Sequence, residues 1–122
     1  DDFFTKTKAL ERLSIWGNQL TSLPASLLGC SALVGVQAQE MPLESLPSGA
    51  WPAGMETLFV QETKVTALPA ELGVLDSLKR VNVGKLALDE PSVAIAEAIK
   101  AKIMAVKGGI FWGMDGVKQD SP

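Results

Sequence analysis

The chain has 122 residues, with 11 Lys and Arg against 14 Asp and Glu, a formal net charge of -3, one Cys and no His. With 47% hydrophobic and 20% charged residues it has the balance of a folded domain, long enough for one core and hardly for two, and its acidic excess argues against a nucleic-acid partner. The missing histidines remove Ser-His and Cys-His nucleophilic pairs and any His-ligated metal, so neither a metal nor a cofactor is expected, and the single thiol of Cys30 closes no intrachain disulfide and fits a reducing compartment.

Residues 1–9 read as an N-terminal segment or partial cap, with Phe3 and Phe4 its only large apolar groups. No basic, apolar secretory signal opens the chain, and Asp1 in place of Met reads as the start of a processed product. An intracellular location is expected, organellar after removal of a transit peptide being the variant of that expectation. From Arg12 to Glu40 no intervening residue is charged, which is long enough to raise a transmembrane helix. Asn18, Gln19, Thr21, Ser22, Pro24 and Ser26 are too polar for hydrocarbon, so no transmembrane span is expected.

Three units of nearly equal length then follow one another, opening at Leu10, Leu33 and Met55. The first, residues 10–32, places apolar groups at Leu10, Leu13, Ile15, Leu20, Leu23 and Leu27; the second, 33–54, at Leu33, Val36, Ala38, Leu43 and Leu46; the third, 55–77, at Met55, Leu58, Val60, Val65, Leu68 and Leu72. A partial fourth, 78–88, repeats Leu78, Val81 and Val83 before the pattern stops. In each unit a period-two stretch such as Leu58-Phe59-Val60 predicts a half-buried strand, and the Leu-Pro that follows predicts a tight turn or a short helical piece. Each unit can bury its leucines only against its neighbours, so the units are expected to stack.

Asp89-Glu90-Pro91-Ser92 has the composition of a helix start, and Gly108-Gly109 that of a stop. A helix over 89–107 is predicted, with Val93, Ala96, Ile99, Ile103 and Val106 on its apolar face, as a cap on the fourth unit. In the tail, 108–122, the apolar cluster Ile110, Phe111 and Trp112 is predicted either to seal that cap or to anchor a partner.

The pattern resembles the leucine-rich repeat family, in detail the intracellular kind whose units read LxxLxLxxNxLxxLPxxLxxLxx. The segments LPASL and LPAEL match it directly, and the likeness covers residues 10–88, about two-thirds of the chain. It departs at the asparagine position, where only Asn18 is kept and Met41, Thr63 and Leu86 replace it. The resemblance implies an α/β fold: a leucine-rich-repeat solenoid with a short curved parallel sheet, an irregular or short-helical convex side and a C-terminal capping helix.

It also implies that residues between the strand leucines face outward on a concave ligand surface. Position by position these are Arg12, Ser14 and Trp16, then Gln37 and Gln39, then Phe59 and Gln61, then Arg80 and Asn82. Trp and Arg are enriched at binding hot spots, which singles out Arg12, Trp16 and Arg80; against this, any sheet must present some residues outward. Glu40 and Glu62 should be neighbours in one column, yet an open sheet offers no cleft for acid-base work. Cys30 falls at a closing apolar position and reads as a small buried hydrophobe. Neither Gly-rich segment fits a phosphate loop.

The expected function is therefore a non-catalytic protein-protein interaction module that binds a protein partner through the concave face. The alternative is a permanently bound structural accessory subunit of a larger multi-subunit assembly.

Overall fold

Period-two stretches, each flanked by turn residues, form the strands. In the computed structural model, which describes residues 9–121, these are β1 (Arg12–Ser14), β2 (Gly35–Gln37), β3 (Thr57–Phe59) and β4 (Arg80–Asn82). The helix α1 (Glu90–Met104), β5 (Ile110–Trp112) and β6 (Lys118–Asp120) follow. The fold is α/β: one six-stranded sheet in the order β1 to β6, parallel up to β5, with β6 antiparallel at its edge. The expectation of a cap built by residues 1–9 lies outside the described residues, apart from Ala9.

The register follows the sequence periods. Arg12, Gly35, Thr57 and Arg80 pair in one row, as do Ser14, Gln37, Phe59 and Asn82, so each strand residue meets its counterpart one unit further on. Between the rows, Val36, Leu58 and Val81 point inward and are at most 1% exposed. A second line of backbone bonds, Glu44 N–H to Thr21, Lys64 N–H to Leu43 and Asp89 N–H to Thr66, links the segments after the strands.

Proline sets the returning segments. After Pro24 and Pro69 the chain makes short 3-10 helices, Ala25–Gly29 and Ala70–Val74, each burying one leucine, Leu27 or Leu72. The second unit forms no such helix; there Trp51 is buried and its Nε1–H donates to the Pro47 carbonyl at 3.0 Å. At the asparagine position, Asn18 donates to the Ile15 carbonyl and accepts from Leu20 N–H, and Thr63 makes the same pair of bonds to Val60 and Val65. Thr63 thus does the local work of the missing asparagine, while Met41 and Leu86 fill their turns as buried hydrophobes.

One expected boundary needs correction. The helix stops at Met104, short of Lys107. It is the crossover between β4 and the parallel β5, as parallel neighbours require, and it packs on the 3-10 segment Ala70–Val74 and on β5. Asp89 caps it by accepting from Ser92 N–H, and the buried Ser92 hydroxyl in turn accepts from Leu68 N–H at 2.8 Å. In the tail, Ile110-Phe111-Trp112 continues the sheet as β5. Gly108, at a φ of +79°, turns the chain after the helix, and Phe111 enters the core at 3% exposure.

Candidate functional site

The face of the sheet away from the core carries the sequence-predicted binding residues, and their placement is uneven. Arg12, Ser14, Gln37, Phe59 and Arg80 converge on one groove of about 320 Å³, together with Gly35 and Thr57. The floor is low because Gly35 and Thr57 lie between Arg12 and Arg80 in one row. Arg80 Nη1–H donates to Thr57 Oγ1 at 3.4 Å, and Ser14 Oγ–H to Gln37 Oε1 at 3.5 Å. Phe59 is half-buried and walls one side.

Other predicted residues stand apart. Trp16 is 55% exposed and lies outside the groove lining. Gln61 and Asn82 line a smaller hollow of about 180 Å³ with Glu62, Gly84 and Lys85, and Asn82 Oδ1 is committed to Gly84 N–H at 2.9 Å. The side-chain oxygens of Gln39 and Gln61, one register column apart, are buried with no hydrogen-bond partner. Glu40 and Glu62, the suggested carboxylate pair, stand at the turns that end their strands, with φ near +56° at each.

Of the suggested anchor residues, Phe111 belongs to the core while Ile110 and Trp112 flank it in the strand and face the other way. They extend the two rows by one strand, Ile110 beside Arg80 and Trp112 beside Asn82. Spacing conceals this extension, because α1 is inserted between Arg80 and its counterpart Ile110 and lengthens the interval. The short run of β-branched and aromatic residues Ile110, Phe111 and Trp112 between glycines is the signal that could have found it.

Among the described residues no group of three or more His, Cys, Asp or Glu side chains is placed to hold a metal ion, and no helix is long and apolar enough to cross a membrane. Compared with known proteins, the chain matches no family model and no curated sequence.

Proposed function

We propose that this chain is a leucine-rich-repeat solenoid of the intracellular kind that works as a non-catalytic protein-binding module through the outer, concave face of its sheet. The solenoid reading is supported by parallel strands whose register advances by one sequence unit from each strand to the next, with the Leu-Pro segments following each strand in the first three units. One observation carries the functional reading: Arg12, Ser14, Gln37, Phe59 and Arg80, from four strands, line a single open groove. It mixes guanidinium, amide, hydroxyl and aromatic groups, the composition of a protein-recognition surface. A photo-crosslinking amino acid placed at Gln37, in the groove, should capture a protein from native extract. The same group at Val74, 71% exposed in the other layer, should not. Equal capture from both positions would sink the reading.

A permanently bound accessory subunit is a second reading, favoured by the first unit. Leu13 and Ile15 are only half-buried where Val36, Ala38, Leu58 and Val60 are at most 1% exposed, and Leu20 is 46% exposed. A fixed neighbour against β1 would complete that burial. Size exclusion of native extract separates the two: an interaction module elutes partly free, an obligate subunit only in the assembly.

A further inference from the structure

The groove contains a concentration of one residue type that the rest of the chain lacks. Arg12 and Arg80 are the only two arginines in the sequence, and the fold sets both in one register row with two small residues between them. Three strand spacings separate their backbones, about 14 Å, and the two side chains lean toward each other across that gap. Arg80 reaches over to Thr57 Oγ1. Arg12 lies over Gly35, its Cγ 3.9 Å from where a β-carbon on that residue would stand.

Neither guanidinium has an ion-pair partner among the described residues, whereas Lys102 is paired with Asp76 and Lys118 with Asp120. Glu11 and Glu56, one position earlier in the register, make no ion pair with either arginine. Glu40 and Glu62 stand at the opposite end of the face, past the ends of the strands.

Gly35 adds an independent observation. Its φ is not in the left-handed region, and the nearest atoms to a β-carbon there would be Thr57 Cβ at 3.5 Å and Arg12 Cγ at 3.9 Å, ordinary contact distances. Neither backbone nor packing demands glycine at this strand position, where glycine weakens the strand and suits the close approach of a ligand. Itself buried, it keeps the floor between the two arginines low.

We propose that this groove recognises carboxylates: Arg12 and Arg80 together take the acidic side chains of an extended segment of a partner protein, laid over Gly35 and Thr57 against the Phe59 ring. The proposal rests on the protein-binding reading above and names the chemistry of the partner. A guanidinium presents a planar fork of N–H donors that matches a carboxylate bidentately, and it gives up its hydration more readily than an ammonium group. With a net charge of -3, the chain as a whole does not attract an acidic ligand, so the discrimination must come from this local pair.

The two arginines make a direct test possible, because side-chain Nε–Hε resonances of the 15N-labelled protein report only on this groove. The probes are capped peptides of glycine with a pair of aspartates, the same peptide with asparagines, and the same with phosphoserines. Both Arg resonances should move saturably with the aspartate peptide, and the asparagine form should bind about tenfold more weakly or worse. Gly35→Leu, which fills the floor, should keep the thermal midpoint and abolish the shifts; Arg12→Gln and Arg80→Gln should each weaken binding. Equal binding of the asparagine peptide, a response from one arginine alone, or unaltered binding by a folded Gly35→Leu variant overturns the proposal. Tighter binding of the phosphoserine peptide overturns it in favour of a phosphorylated ligand. Crosslinking from position 37 keeps the two levels distinct: capture that survives Arg12→Gln with Arg80→Gln leaves the protein-binding reading standing while the carboxylate assignment falls.

Discussion

Phe59 and Trp112 meet edge to face across an intervening strand, their ring centroids 5.5 Å apart and their planes at 83°. Asn82 stands between them in register but turns its side chain back to Gly84 N–H, leaving room for the rings to close over it. The contact ties β5, which comes after the helix, to the face built by the earlier strands. Truncating either ring to Ala should destabilise the fold, and a double-mutant cycle should return a coupling of about 0.5 to 1.5 kcal/mol. Strict additivity of Phe59→Ala and Trp112→Ala in denaturant melts would mean that the rings do not interact in solution.

Leu58 and Phe59 are chain neighbours on opposite faces, Leu58 1% exposed and Phe59 half-buried over the groove. Leu58→Asp buries a charge with nothing to pair it and should cost more than about 4 kcal/mol, enough to unfold a small domain. Phe59→Asp should keep the far-ultraviolet circular dichroism of the wild type. The reverse ranking would show that the inside and outside of the sheet are assigned the wrong way round.

Gly109 is packed too tightly for any side chain: a β-carbon there would come within 2.9 Å of Ile103 Cγ2 and closer still to the Ile103 carbonyl oxygen. Gly109→Ala should therefore cost about 1 to 3 kcal/mol by forcing the end of α1 away from β5. Gly29, whose β-carbon would meet nothing within 4 Å and whose φ is not positive, is the control, and Gly29→Ala should stay within about 0.5 kcal/mol of wild type. Thermal melts of the two variants compare them directly.

Ser92 is the buried polar group of the core, 2% exposed, and its Oγ is the acceptor for Leu68 N–H. Removing it in Ser92→Ala strands that amide and should cost about 1 to 3 kcal/mol. Hydrogen exchange at Leu68 should accelerate with it, and an unchanged exchange rate at that amide would refute the assignment of the bond.

Four residues at one position of successive turns, Gly17, Glu40, Glu62 and Lys85, all have positive φ between +56° and +79°. Only the first is glycine, so the other three carry a left-handed conformation on a side chain. Glu62→Gly should be tolerated or mildly stabilising, whereas Glu62→Val should lose about 1 to 2 kcal/mol in a denaturant melt, because a β-branched side chain fits that region worst.

The strands, their register and the outward residues of the first four strands were legible in the sequence because each depends on a local period. A period-two stretch can bury only alternate residues, and a nearly constant unit length places like against like. Arg12, Ser14, Gln37, Phe59 and Arg80 were readable for the same reason. The left-handed turns at Glu40 and Glu62 left no such trace, since neither residue is glycine. Nor did the carboxamide oxygens of Gln39 and Gln61, whose burial without a partner is a property of packing between units.

Composition and spacing by themselves determined short strands, an internal period, a helix start at Asp89 and a chain without histidine. Tertiary structure alone decided that α1 is the crossover between β4 and β5, that Ile110 to Trp112 adds a fifth parallel strand, and that Arg12 and Arg80 lean toward each other over Gly35. The physical reason is range. Alternation, capping and turn chemistry act within a few residues and are written in the chain. Which strand edge a tail pairs with, and which way two long side chains lean, depends on the space left by residues that are distant in sequence.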